Sequence, residues 1–189
     1  NNLKWCPVFI DHYKPGCGKT SFANFLIEHL GVSARYLPMN EGGINQKWIE
    51  QNRCWFENSN VLFDQEKCPN KITVLDEFHN LSMKEQDRFK TIFDAVPDTH
   101  LVIVICNTTI SRSIDKVLSS PILSRLHGID FNLYQDELDP MVDKVYEKYP
   151  FSDPDKIKMQ LPDMRTIVRN AELAQKKHFK KLDKIFGLA

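Results

Sequence analysis

No stretch of this chain stays apolar for anything near the roughly 20 residues that a membrane-spanning helix needs, and no secretory leader is recognisable, so an intracellular setting without a membrane is expected. A basic excess is missing as well. Lysine plus arginine is 25 and aspartate plus glutamate is 25, which excludes the global positive field that drives binding to a phosphate backbone. Nucleic acid, if bound, would be held by a local stripe or by an assembly of chains. The densest basic run, Lys176-Lys177 with Lys180-Lys181, reads as a solvated helix end. The five cysteines are odd in number and lack paired metal-ligand spacings, which points to a reducing compartment, cytoplasm or nucleus. A length of 189 residues suits one core with a small appendage and is too short for two complete α/β domains.

Against these absences one segment stands out. Tyr13-Lys14-Pro15-Gly16-Cys17-Gly18-Lys19-Thr20 lies between a short apolar run, Pro7 to Ile10, and a stretch in which Phe22, Phe25, Leu26 and Leu30 fall at helical spacing before Gly31. That succession is strand, loop and helix. Gly16 and Gly18 can take backbone conformations closed to other residues, so successive N–H groups turn inward on phosphate oxygens at the positive end of the helix. Pro15, Gly16, Cys17, Gly18, Lys19, Thr20 and Ser21 would then bind the nucleotide, with Lys19 reaching the β and γ phosphates and the Thr20 hydroxyl on magnesium. The pattern G-x-x-x-x-G-K-(S/T) is met except at its first glycine, where Tyr13 stands, so binding with an altered loop entrance is expected. Cys17 puts a thiol inside the loop, and its alkylation or oxidation should impair nucleotide binding.

A second pattern turns binding into hydrolysis. Ile72-Thr73-Val74-Leu75-Asp76-Glu77 is a buried-strand run ending in two carboxylates. Asp76 would hold the magnesium shell and Glu77 would orient and polarise the attacking water; the plainer reading is a solvated acidic strand end. Asp76-Glu77-Phe78-His79 also matches the D-E-x-H box of two-domain helicases, but the chain is too short for the second domain those enzymes need. His79 is accordingly expected at the surface, opening the next loop. Leu101-Val102-Ile103-Val104-Ile105-Cys106-Asn107-Thr108 is a central parallel strand with a polar tip. Asn107 emerges where ligands of open α/β sheets bind and can hold the lytic water or touch the γ phosphate, unless it simply forms a turn.

These stations together resemble the AAA+ ATPase family, with Walker A at Gly16 to Thr20, Walker B at Asp76 and Glu77, and a sensor 1 residue at Asn107. The likeness continues through Ser119-Ser120-Pro121-Ile122-Leu123-Ser124-Arg125-Leu126, similar to the Ser-Arg finger segment of clamp loader subunits, and Asp163-Met164-Arg165, similar to their sensor 2. It spans roughly residues 7 to 175. The resemblance implies an α/β P-loop NTPase core, a parallel sheet with helices on both faces, at 1–134 and a small helical lid at 135–189. It further implies ATP with Mg2+, homo- or hetero-oligomeric ring subunits, and DNA or a replication protein as partner. Glu77, Asn107, Arg125 and Arg165 would be the catalytic set, with Thr20 and Asp76 on the metal. Arg125 would project into the neighbouring subunit's site; the alternative is an ordinary surface arginine. Arg165 sits in the first turn of an expected helix, where a cation opposes the macrodipole and asks for an anion, although a solvated basic face is the other reading.

The activity so implied is ATP hydrolysis at subunit interfaces, clamp-loader-like and in DNA replication. A superfamily 3 viral-type replicative helicase combines similar motifs and stays open, as does a weakly hydrolysing nucleotide-binding assembly module, for which Tyr13 is the warning sign. The chain opens at Asn1, whereas members of the family usually carry adenine-contacting residues further upstream. Either it is a trimmed piece or its adenine pocket is reduced, so base specificity stays open.

The rest of the pattern fits this organisation. Ala34 to Met39 can form a strand and Gly128 to Leu133 a last one. Ser82 with Glu85 makes a capping box for a helix carrying Phe89, Ile92, Phe93 and Val96 before Pro97. Asp139 to Tyr149, Asp153 to Gln160 and Asp163 to Lys177 would be lid helices, the last with Met164, Ile167, Val168, Ala171 and Ala174 on its apolar side. Between Glu41 and Asn70, Trp48, Trp55, Phe56 and Phe63 are expected in the core rather than as base-stacking platforms.

Overall fold

Val102, Ile103, Val104, Ile105 and Cys106 are each at most 2% exposed, the condition of a strand covered on both faces, and they form the middle of β4 (His100–Asn107). The computed structural model describes residues 7–11, 16–39, 44–58, 69–108, 113–131, 135–150 and 164–186. Four further strands, β1 (Pro7–Asp11), β2 (Ser33–Pro38), β3 (Lys71–Asp76) and β5 (His127–Asp130), join β4 in one sheet of order β2-β3-β4-β1-β5. Every pairing is parallel. β4 therefore lies between the strand that leads into the glycine loop and the strand that ends in the two carboxylates. The register sets Asp11 beside Asn107 and Pro38 beside Asp76, so the carboxyl ends of β1, β2, β3 and β4 share one edge, the edge that binds ligands in open parallel sheets.

Side-chain alternation divides the core in two. Val102, Val104, Cys106 and Leu75 face a cluster with Ile49 and Phe56 of α2 (Gln46–Glu57), Ile92 and Phe93 of α4 (Lys90–Ala95), and Ile122 of α6 (Ser120–Leu123). Ile103, Ile105, Ile72 and Val74 face Ala23 of α1 (Lys19–Leu30), with Leu26, Ile27 and Leu30 beside it. Helices thus cover both faces. The buried stripe of α1 is Ala23, Leu26, Ile27 and Leu30, not the one through Phe22 and Phe25. Those two rings are 41% and 54% exposed; they stack on each other at 6.3 Å, and Phe22 also meets Phe131 at 5.6 Å. Both stripes obey helical spacing, and only the position of the sheet decides between them.

The Ser82 capping box is present, with the Ser82 N–H donating to Glu85 Oε2 at 3.0 Å and the Glu85 N–H to Ser82 Oγ at 3.4 Å. It opens α3 (Met83–Asp87), and the expected single helix breaks before α4. At the break, Arg88 and Phe89 bond back three residues, to Glu85 and Gln86, and Arg88 Nη1 donates to the Ile44 carbonyl. Pro97 follows the end of α4 as expected. Phe56 is fully buried, and Trp48 and Trp55 pack against the same cluster; Phe63 lies outside the described residues. A short helix, α5 (Ile114–Val117), precedes α6.

Packing separates the chain into two units, Asn1–Tyr13 with Lys19–Phe131, and Lys14–Gly18 with Asn132–Ala189. The second contains α7 (Gln135–Lys148) and α8 (Met164–Phe186). Val145 and Tyr149 meet Ile167, Val168 and Ala171, and the Tyr149 hydroxyl donates to Glu172 at 2.8 Å. α7 starts before the expected Asp139, with Pro140 inside it, and α8 runs past Lys177. The expected helix over Asp153 to Gln160 and Asp163 itself lie outside the described residues.

Candidate nucleotide site

Backbone geometry supports the glycine reading of the loop. Gly16 and Gly18 have φ of 94° and 97°, conformations that side chains with a Cβ rarely adopt, and they lead covalently into Lys19, the first residue of α1. Cys17 between them is buried; Pro15, with Tyr13 and Lys14, lies outside the described residues. Lys19 is only 5% exposed. Ser21 is exposed and Thr20 half-buried, and the Thr20 hydroxyl donates to Asp76 Oδ2 at 3.3 Å.

Asp76 ends β3 and is 7% exposed. Its Oδ1 accepts the Glu77 N–H at 2.9 Å, and its Oδ2 also accepts the hydroxyl of Tyr36, from the adjoining strand β2. Glu77 has φ of 58°, and among the described residues no other non-glycine has a positive φ. Such backbone is costly and clusters at functional positions. Here it turns the chain off the strand end into a 3-10 turn, Phe78–Asn80, and swings the Glu77 carboxylate toward β4. Asn107 Nδ2 donates to it, 3.4 Å from Oε1 and 3.5 Å from Oε2.

His79 corrects the surface assignment. Its side chain is 20% exposed, with Nε2 3.1 Å from Glu77 Oε2 and Nδ1 accepting the Asn107 backbone N–H at 3.3 Å. Beneath these groups, burial pushes the Cys106 thiol well above its usual range; the Lys19 ammonium pulls it back, and the Glu77 and Asp76 carboxylates push the same way as burial. Asp76, Glu77, His79 and Asn107 are thus linked by hydrogen bonds at the ends of β3 and β4.

A hydroxyl 3.3 Å from a carboxylate suits magnesium, which prefers oxygen ligands and takes one or two from protein and the rest from phosphate and water.

One expected site residue is engaged elsewhere. Arg125, just after α6, makes a bidentate pair with Asp94, Nε to Oδ1 at 2.7 Å and Nη2 to Oδ2 at 2.9 Å, and Nη1 donates to the Pro121 carbonyl at 2.7 Å. The Asp94 hydrogen bond raises its pKa further above the usual arginine value. Arg165 belongs to the second unit. It is the second residue of α8 and exposed, as is Arg169, while Ile167 and Ala171 are buried.

A model of the ATPase family associated with various cellular activities (AAA) matches residues 13–128, more than half of the chain. The chain belongs to the AAA family. No protein of curated function matches it significantly in sequence. Among solved structures, this AAA chain is similar to a DNA polymerase III gamma subunit-related protein of Thermotoga maritima, with TM-score 0.61 and 15% identity over 93% of this chain and 56% of that one. It is also similar to the RuvB Holliday junction branch migration motor of Thermotoga maritima, with TM-score 0.53 and 17% identity over 90% of this chain and 60% of that one. A P216G mutant of that RuvB aligns with TM-score 0.53 and 16% identity, over 90% and 61%. The AAA chain spans a little under two thirds of the length of these structures. At such identities the likeness shows the fold, an α/β P-loop NTPase with a parallel sheet covered on both faces and helices following it.

Sequence reading of the AAA site missed two residues, Tyr36 and His79. Tyr36 carries no motif; the sequence placed it only within a strand expected over Ala34 to Met39. His79 was visible as part of D-E-F-H, and was set aside together with the two-domain helicase reading.

Proposed function

We propose that this AAA protein hydrolyses ATP with Mg2+ at interfaces between subunits of a homo- or hetero-oligomeric ring, in the manner of a clamp loader, acting on DNA or a replication protein. In this reading residues 1–134 are the ATPase core and 135–189 the lid. The observation that carries it is the pairing of Thr20 with Asp76 at 3.3 Å beside the Glu77–Asn107 contact, an arrangement in which the hydroxyl and the first carboxylate would hold the metal and the second would orient water.

The residue roles follow from chemistry. Backbone N–H groups of Gly16, Cys17 and Gly18, with Pro15 before them and Ser21 after, would cradle the phosphates at the start of α1, and Lys19 would neutralise the β and γ oxygens. Magnesium on Thr20 and Asp76 would neutralise charge developing between those phosphates. Glu77 would orient and polarise the water, and Asn107 would hold it in line. Arg125 would serve the neighbouring subunit after leaving Asp94, and Arg165 would answer the triphosphate from the lid.

The test is ATP turnover against protein concentration, for the parent and Arg125→Ala, with and without primed DNA. Specific activity that rises with concentration and falls by roughly a thousandfold in the variant supports a composite site; concentration-independent turnover indifferent to Arg125 rejects it. A second reading, a weakly hydrolysing nucleotide-binding assembly module, is favoured by the Tyr36 hydroxyl on Asp76 Oδ2, an oxygen that also accepts from Thr20. Parent turnover no higher than that of Glu77→Gln would select it.

A further inference from the structure

We propose that His79 is a positioning residue for Glu77, holding its carboxylate in register with the end of β4; the inference rests on the proposal that Glu77 orients the attacking water. The geometry fixes the state of the imidazole. The Asn107 backbone N–H points at Nδ1 from 3.3 Å, so Nδ1 must accept. The proton then sits on Nε2, which lies 3.1 Å from Glu77 Oε2 and donates to it. The ring is a strut with a backbone anchor at one end and the carboxylate at the other, and the neutral tautomer is set by the anchor.

The strut matters because of where Glu77 stands. Its backbone is in the left-handed region at φ 58°, its side chain is 44% exposed, and the Asn107 amide reaches it only at 3.4 and 3.5 Å. A half-exposed carboxylate with one long hydrogen bond would swing through several rotamers. Two donors from different directions, Asn107 Nδ2 and His79 Nε2, restrict it to one. Both are tied to the same residue, one through its side chain and the other through its main chain, so a shift of the tip of β4 moves the carboxylate with it. His79 touches neither substrate nor metal in this scheme and acts through Glu77.

The two imidazole nitrogens can be tested separately. Glutamine at 79 places an amide N–H where Nε2 lies, whereas asparagine places an oxygen near Nδ1 and nothing at Glu77. His79→Ala is expected to lower kcat by roughly a hundredfold, the cost of misplacing a catalytic group by about an ångström, with affinity for a fluorescent ATP analogue unchanged. His79→Gln should recover most of that loss and His79→Asn none of it. Equal recovery by Gln and Asn, or full kcat in His79→Ala, overturns the inference. A separate readout needs no turnover: long-range nitrogen correlation spectra of the full chain should show His79 protonated at Nε2, with that resonance shifting in Glu77→Gln. A proton on Nδ1 overturns the inference whatever the kinetics show, while a parent without turnover but with the Nε2 tautomer overturns the ATPase proposal instead.

Discussion

The two ends of β3 carry polar side chains of equal importance and opposite character. At its amino end Lys71, Thr73 and the neighbouring His100 are 1%, 0% and 2% exposed and bonded at short range. Trp55 Nε1 donates to Thr73 Oγ1 at 2.7 Å, Thr73 Oγ1 lies 2.8 Å from His100 Nε2, and His100 Nδ1 lies 3.2 Å from the Phe56 carbonyl. A carbonyl can only accept, so the whole chain runs one way, Trp55 to Thr73 to His100 to Phe56, with the imidazole neutral. Lys71 Nζ donates to the Trp55 and Asn58 carbonyls and lies over the Trp55 ring at 4.6 Å, which Arg35 also approaches at 4.2 Å. These are the carbonyls that the end of α2 leaves without helical partners, and a cation there also suits the helix dipole.

At the carboxyl end most contacts are looser, apart from the Glu77 N–H on Asp76 Oδ1 at 2.9 Å and His79 Nε2 beside Glu77 Oε2 at 3.1 Å. Thr20 to Asp76, Asn107 to Glu77 and Asn107 to His79 are 3.3 Å or longer, near the limit of a useful hydrogen bond. One end is a closed network that holds a helix to the sheet. The other is a set of groups, Tyr36 on Asp76 among them, whose bonds can be exchanged for those of a ligand.

The comparison breaks most visibly by substitution at the open end. Glu77→Gln should lower ATP turnover by roughly 10² to 10⁴ while the urea midpoint barely moves, since the carboxylate is half-exposed and a glutamine oxygen can still accept in its place; single-turnover kinetics beside chemical denaturation check both halves. At the closed end the pattern inverts. Lys71→Met leaves the Trp55 and Asn58 carbonyls without their donor and should cost about 1–3 kcal/mol of stability, with turnover per folded molecule unchanged.

A smaller effect comes from pH. Burial first of all, with Lys71 adding to it, pushes His100 down to about 4 from its usual 6.5, against the Phe56 carbonyl, which pulls it up. The folded-state value lies below the unfolded one, so the unfolded chain binds the extra proton. Stability is complete above about 6.5 and declines as pH falls toward about 4, at up to roughly 1.4 kcal/mol per pH unit. Urea titrations at pH 7 and pH 5 should show that decline in the parent and a flatter response in His100→Gln.

Features that depend on local pattern were legible in the sequence. The apolar run of β4, the Ser82–Glu85 capping box, Pro97 after α4, the glycines of the loop and the Ile167–Ala171 stripe of α8 all follow from rules that act within a few residues. Features decided by what packs from elsewhere were not. Ala23, Leu26, Ile27 and Leu30 share α1 with an equally periodic stripe through Phe22 and Phe25. The break at Arg88 accompanies a hydrogen bond to Ile44, far away in sequence. The Thr73–His100–Trp55 network joins residues on three elements, and no spacing announces it. At the candidate site the motif residues Thr20, Asp76, Glu77 and Asn107 could be named in advance because each ends or begins an element. Tyr36 reaches the same point from a position that no motif singles out, and His79 from one that the D-E-x-H pattern marked only for a different class of enzyme.

The left-handed backbone at Glu77 bears on how this chain can change over time. A side chain at such a φ raises the energy of the native state by roughly 1–2 kcal/mol relative to glycine. Glycine would therefore be the sturdier residue at position 77, yet it would bring no carboxylate to the end of β4. If that carboxylate is the one that orients water, pressure for a longer-lived fold and pressure for faster turnover pull this position in opposite directions, and the present residue records which of them has prevailed.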